Sequence, residues 1–333
     1  MSTLTDQAMV QALSQLDLNR VASASAGPSE CALNDRALSG QWLLVAHDAG
    51  AANVMAAWLP YLPDNMRVCA QGPAARILAE HFDPALVFDD LSEACSVGID
   101  VMLTGTGWQS DLEHEARALA QQNHIYSIAV IDHWSNYAAR FMRHEKTVMA
   151  DKVVVLDPAA LEVARKALPV GDYELVIWPN LYLQHQVDEI KARMDNSGRP
   201  SGKLLYLLEP MRKSWSGEQE AEFDALAFFF TKLEETGFAA DKTIIFRPHP
   251  SESDDKYRSC LAADVPSSSA WQLDRQTDMA QQIADADAVF GCCSFALVIA
   301  AMAGIPVYCT IPETVDHFRL PHQEIRPLSL LDQ

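Results

Sequence analysis

From residue 41 onward, short apolar runs alternate with stretches whose apolar residues recur at helical spacing, and after a polar break the alternation starts again. WLLVAHDAG reads as a buried strand and a turn, AANVMAAWLPYL as a helix, RVCAQG as a strand, PAARILAEHF as a helix with Pro in its first turn, and ALVFDD as a third strand. DVMLTGTG is a fourth strand ending in a glycine turn, SDLEHEARALAQQN an amphipathic helix, and IYSIAVIDHW and KVVVLDP are further strands. Apolar strands separated by helices imply a mostly parallel sheet covered on both faces.

The polar segment KARMDNSGRPSG (191–202) has the composition of an interdomain linker. Beyond it KLLYLLEP is a strand, 218–236 a helix, KTIIFRPHP a strand, DMAQQIADA a helix, DAVFG a short strand, SFALVIAAMAG a buried helix and IPVYCTIP a strand. The fold class predicted is α/β, with two doubly wound, Rossmann-like parallel-sheet domains facing across a cleft. The expected division is an arm over 1–40, a domain over 41–195 and a second over 196–333. In the arm, QAMVQALSQLDL reads as a short amphipathic helix and ASASAGPSE as a small, polar stretch without chemistry. No internal repeat is visible.

Composition bounds the partners. The chain has 333 residues, enough for two domains, with 49% hydrophobic and 21% charged residues as in globular proteins. Its formal net charge of −20, from 25 basic and 45 acidic residues, disfavours nucleic acid and anionic membranes, both of which need a positive field. No apolar run reaches the roughly 18–20 residues of a membrane span. The first residues lack the basic and apolar regions of a signal peptide. Seven irregularly spaced cysteines suit a reducing compartment, so the expected location is cytoplasmic.

Open parallel sheets bind ligands outside the carboxyl ends of their strands. There the first half places His47 and Asp48, Thr104 to Gly107, and Asp132, His133 and Trp134. The second half places Glu209, Arg247 and His249, the Cys292–Cys293–Ser294 turn, and Glu313. In RPHP two prolines bracket His249. In FGCCSFALVIAAMAGIPV a glycine turn delivers Ser294 to the start of an apolar helix, where it either caps the helix or, with His249 and Arg247, faces an anion.

The order RPHP, ADAVFG with its following Ser, and GIPVY resembles the nucleotide-binding half of GT-B glycosyltransferases. More narrowly, it is similar to the His-Pro and Ser motifs of bacterial sialyl- and polysialyltransferases, capsule Kdo transferases and CDP-glycerol glycerophosphotransferases. The resemblance is sharp over about residues 243–312. It implies that His249 and Ser294 hold the phosphate of a cytidine nucleotide, with Arg247 and Cys293 beside them. In HDAGAAN it implies a catalytic Asp48 with Gly50, although Ala49 stands where a second acid is frequent. Asp132 and His133 are rivals for the base. His47, Gly50, Asn53, Thr104, Thr106 and Trp134 are expected on the acceptor side. The helix after Ser294 lacks the acid that often holds the ribose, which leaves Glu209 or Glu313 for that contact.

What the resemblance implies is a metal-independent, inverting transferase. It would move an acidic sugar of nonulosonate or Kdo type from a CMP-activated donor to a glycan, or to a protein such as flagellin, with no further cofactor. A UDP-sugar 2-epimerase-like enzyme is the alternative, and it needs acidic residues around the sugar that the sequence does not reveal. A non-catalytic nucleotide-sugar-binding protein is another. No metal-ligand spacing is present, so EHEARA and DHFRLPH are expected to be a surface helix and a loop. TGTG is expected to be a plain turn, and Cys292–Cys293 two small hydrophobes.

Overall fold

The computed structural model describes residues 40–194, 200–211, 214–217 and 219–331. The helix expected in the N-terminal arm lies outside these residues. The chain forms two compact units that divide between Tyr182 and Leu183.

The first unit carries strands β1 (Trp42–Ala46), β2 (Met66–Ala70), β3 (Val87–Phe88), β4 (Val101–Thr104), β5 (Tyr126–Val130), the small hairpin β6 (Met142–Arg143) and β7 (Lys146–Thr147), β8 (Lys152–Val155) and β9 (Glu174–Ile177). Seven of them form one parallel sheet in the order β3-β2-β1-β4-β5-β8-β9. The chain winds outward from β1 on one side and from β4 on the other, so the topological switch point lies between these strands. Strand β1 shows why the sheet is double-covered. Trp42 and Leu44 enter one apolar cluster and Leu43 and Val45 the opposite one, all four fully buried.

The second unit carries β10 (Lys203–Leu207), β11 (Thr243–Arg247), β12 (Ala270–Leu273), β13 (Ala288–Gly291), β14 (Val307–Cys309) and β15 (Ile325–Pro327). They form a parallel sheet in the order β12-β11-β10-β13-β14-β15, with its switch point between β10 and β13. An aromatic core including Tyr206, Phe229, Phe246 and Phe290 fills one face, with Phe229 4.8 Å from both Tyr206 and Phe290 between ring centres.

The helices that position functional groups are α1 (Ala49–Trp58), α2 (Gly72–Ala79), α3 (Leu91–Ala94), α4 (Leu112–Gln122), α5 (Tyr137–Arg140), α6 (Pro158–Ala167), α7 (Leu181–Met194), α8 (Ala221–Thr236), α9 (Asp255–Asp264), α10 (Met279–Asp285) and α11 (Phe295–Met302). Helix α7 extends to Met194, so the first part of the expected linker is helical. Leu181 and Tyr182 pack into the first unit's core beside Trp178, whose ring meets Trp58 edge-on at 5.1 Å. That packing puts the division before the polar composition that suggested it.

The sheets also gain β9, β12 and β15, whose residues are half-buried or exposed and lack a continuous apolar run. Of ALVFDD only Val87 and Phe88 are strand. DHFRLPH is a loop. Among the described residues no helix is long and apolar enough to cross a membrane. No disulfide joins the described cysteines.

Candidate active site

The first unit gathers three carboxylates at its switch point. Asp48 follows β1 and occupies the N-cap position of α1, in extended conformation. An Asp there ordinarily accepts from the first-turn amides. This one makes no such bond, and its Oδ1 lies 2.7 Å from His47 Nδ1 instead. Both side chains keep part of their surface in solvent, 20% for His47 and 24% for Asp48.

Glu113, in the first turn of α4, is the second carboxylate and is fully buried. Its Oε1 accepts the backbone N–H of His47 over 3.0 Å. Its Oε2 has no hydrogen-bond partner. The turn after β4 makes room for it. A Cβ on Gly105 would lie 2.5 Å from Glu113 Oε1, and one on Gly107 would lie 2.8 Å from Glu113 Oε2 and 2.5 Å from Asp48 Oδ2. TGTG is thus more than a turn, because its glycines are the wall against which two carboxyls pack. Burial pushes the Glu113 carboxyl up to about 7; the His47 amide and Arg117 pull it down, while Asp48 and Asp132 push it further up.

Arg117 lies one turn along α4 and is also fully buried. Its guanidinium donates to the carbonyls of Val148, Gly105 and Arg140 and to Thr104 Oγ1. Burial brings it down to about 10. EHEARA is therefore not a surface helix. Glu113, His114 and Arg117 face inward with Leu112, Ala116 and Ala120, and the polar ends of β1 and β4 offer partners to Glu113 and Arg117.

Asp132, after β5, is the third carboxylate. Its Oδ1 accepts from Arg140 Nη1 at 2.9 Å, and its Oδ2 sits where a side chain on Gly50 would be, 1.9 Å from an ideal Cβ. Gly50 thus admits a carboxylate to the first turn of α1, at the positive end of the helix dipole. Arg140 also donates to the carbonyls of Ser135 and Thr106. Among the described residues no three acidic, His or Cys side chains are arranged to hold a metal ion.

Other expected residues have different surroundings. Thr104 and Thr106 are fully buried, the first accepting from Arg117 and the second donating to Val130 O at 2.8 Å. Trp134 is buried and donates to Asp157 Oδ2 at 2.7 Å. Thr104 and Thr106 thus bond the guanidiniums of Arg117 and Arg140, whereas Trp134 bonds the N-cap of α6. His133 lies half-buried, 2.9 Å from Ser135 Oγ, and Asn53 is half-buried on α1. Trp108, next to Gly107, is 57% exposed.

In the second unit, the register pairs Leu207 with Gly291 and with Arg247. Glu209 and Cys293 therefore each stand two residues beyond a paired position. The Cys293 N–H donates to Glu209 Oε2 at 2.9 Å, and its thiol to Oε1 at 3.4 Å. The Ser294 N–H also bonds this carboxylate, and burial pushes the carboxyl up. Ser294 is the N-cap of α11, its Oγ accepting from the Ala296 N–H at 3.3 Å. The helix N-terminus expected to face a phosphate thus holds Glu209.

Arg247 donates to Thr277 O and Gln282 Oε1, both at 2.7 Å. His249 is exposed, and its Nδ1 accepts the Ser251 N–H at 3.2 Å with Ser251 Oγ at 2.8 Å. Ser251 thus holds the ring at Nδ1. Glu313 accepts from Ser329 Oγ. Cys292 and Cys293 are buried, and burial pushes both thiols up, which suits the expected apolar role.

No protein-family model matches the sequence, and no curated protein matches it. Among solved structures, it is similar to the UDP-GlcNAc 2-epimerase from Neisseria meningitidis bound to UDP-GlcNAc, at 11% identity over 83% of each chain and a TM-score of 0.55. It is also similar to MnaA of S. aureus in a co-structure with UDP (13% identity, 81% of this chain and 78% of that one, TM-score 0.54). The UDP-GlcNAc 2-epimerase from Methanocaldococcus jannaschii matches at 10% identity over 81% and 83%, with a TM-score of 0.53. At such identities the likeness is one of fold: two doubly wound parallel-sheet domains of the GT-B-like class, as the sequence led us to expect.

Proposed function

We propose that the chain is a nucleotide-sugar enzyme of GT-B-like fold that transfers an acidic sugar from a CMP-activated donor, with His47 as general base oriented by Asp48. The observation carrying this reading is the 2.7 Å contact between His47 Nδ1 and Asp48 Oδ1 at the carboxyl end of β1. A carboxylate accepting from Nδ1 leaves Nε2 as the proton acceptor. In the step, the acceptor hydroxyl oxygen attacks the anomeric carbon, its proton goes to His47 Nε2, and CMP leaves with the electron pair of the broken bond. A positioned base contributes roughly 10²–10⁴-fold.

His249, oriented by Ser251, and the α11 N-terminus are the second unit's groups for the nucleotide phosphate, and a phosphate at that terminus competes with Glu209. The cytidine donor is supported by the RPHP and Ser294 motifs. Trp108 offers an exposed ring beside Gly107 on which a sugar's apolar face can stack.

A second reading is favoured by a different observation. Asp48, Glu113 and Asp132 meet around Gly50, Gly105 and Gly107, and such a set of acids suits proton removal and return at a sugar carbon, the chemistry of an epimerase. The solved structures similar to this one include enzymes of that name.

The test is thermal stability with CMP, CDP, UMP, UDP and GDP, followed by NMR of the products. A ligand at about 100 times its Kd stabilises by roughly 2.7 kcal/mol. Stabilisation by cytidine nucleotides, lost in His249→Ala, with CMP release that depends on an added acceptor and on His47, is the expected result. Acceptor-independent inversion of a UDP-sugar carbon would establish the second reading, and no response to any nucleotide would sink both.

A further inference from the structure

The fully buried carboxyl of Glu113 is unusual in being half satisfied. Oε1 is engaged by the His47 amide at 3.0 Å, while Oε2 is sealed from solvent without a partner. Buried polar atoms are ordinarily paired, and an orphaned one needs a physical reason. Structural support alone does not supply it, since an uncharged Gln would hold the same amide without placing an acid in a dry site.

Oε2 and Asp48 Oδ2 both lie within 3 Å of the point where a Cβ on Gly107 would stand, so two carboxyls face one patch of backbone. The other charged or titratable groups acting on Glu113 are Arg117 from its own helix, Asp132 from the turn after β5, and His47, whose amide it binds. Arg117 gives all its hydrogen bonds to neutral oxygens and makes none to Glu113. The carboxyl is left free to exist with or without its proton.

We propose that Glu113 is a positioning residue whose protonation state sets how firmly the peptide carrying the His47–Asp48 pair is held, so that a proton taken up in the interior loosens the pair and its release tightens it. With the proton on, Glu113 is a neutral acceptor for the His47 N–H. With it off, the same bond is charge-assisted and about twice as strong. The added negative charge also lies beside the imidazole that becomes positively charged when His47 accepts a proton, and so favours that step. Burial brings the ionisation to about 7, where ordinary changes in pH move the population. The inference about turnover rests on the proposed role of His47; the coupling of Glu113 to the His47 peptide does not.

The experiment follows the His47 backbone amide by proton–nitrogen NMR in the full chain across the pH range. In wild type the amide proton should move downfield with a midpoint near 7. The movement should persist in His47→Gln, which keeps the amide but removes the imidazole, and vanish in Glu113→Gln. Thermal melts at about pH 5, where both side chains at position 113 are neutral, establish that the Gln variant is folded. Turnover of Glu113→Gln should fall about tenfold below wild type near pH 8, with the gap narrowing as the pH drops.

An amide that does not titrate, or that titrates equally in Glu113→Gln, overturns the inference whatever reaction the protein performs. A titrating amide in a protein whose turnover ignores His47→Gln supports the coupling and removes the proposed role of His47.

Discussion

A methyl group on Gly50 would sit 1.9 Å from Oδ2 of Asp132. Eighty-two residues apart, the two form one feature: a helix whose first turn has been left bare so that a carboxylate can lie on it. Gly50→Ala must drive Asp132 out of this place and strain its ion pair with Arg140. We expect a loss of about 1–3 kcal/mol in urea unfolding and a fall in activity. A fully stable, fully active variant would show that Asp132 has another place to go.

The ion pair itself has a definite sign. Arg140 and Asp132 side chains are only 7% and 15% exposed. Removing the cation leaves a carboxylate with little water and one fewer donor, so Arg140→Met should cost about 3–5 kcal/mol, and Asp132→Asn in the same background should recover part of it. A double-mutant cycle in denaturant measures the coupling; additive losses would mean the pair acts as two independent packing residues.

Stability should fall with rising pH because of Glu113. Its ordinary value is 4.5 and its folded value about 7, so between them the folded chain holds a proton that the unfolded chain has released. That contribution is fully present below about 4.5, declines as pH rises, and is gone above about 7, a change of about 3 kcal/mol. Glu113→Gln has nothing to ionise there. Unfolding in urea at about pH 5 and about pH 8 should give a drop in wild type that the variant lacks; equal drops in both would place the titrating group elsewhere.

Glu209 occupies the amides at the start of α11 with a carboxyl that burial pushes up. A phosphate entering there meets a negative charge, so Glu209→Gln should tighten binding of CMP or UDP by about tenfold in calorimetry. In wild type, affinity should rise as pH falls and Glu209 takes up a proton. Weaker binding in the variant would instead make Glu209 a direct ligand of the nucleotide, as the ribose contact expected from the sequence would require.

Much of this architecture is legible in the chain itself. The apolar runs WLLVA and LLYL fix the central strands, because a strand covered on both faces leaves little room for charge. The rule that ligands gather at carboxyl strand ends then picks out His47, Asp48, Asp132, Glu209 and Cys293 with no tertiary information. The strands β9, β12 and β15 were not legible, since edge strands keep much of their surface and need no apolar signature.

What the sequence by itself determined is the alternation of elements, and with it the class of fold and the residues that stand at the carboxyl end of each sheet. The tertiary structure decided which groups meet there. Glu113 lies 66 residues beyond the His47 amide it accepts from, on a helix whose charges look like those of any exposed surface. The reason is physical: periodicity records which face of an element is apolar, whereas a buried carboxyl is decided by the partners and empty space that distant glycines provide. Gly105 and Gly107 hold that space open, and only the folded chain shows what fills it.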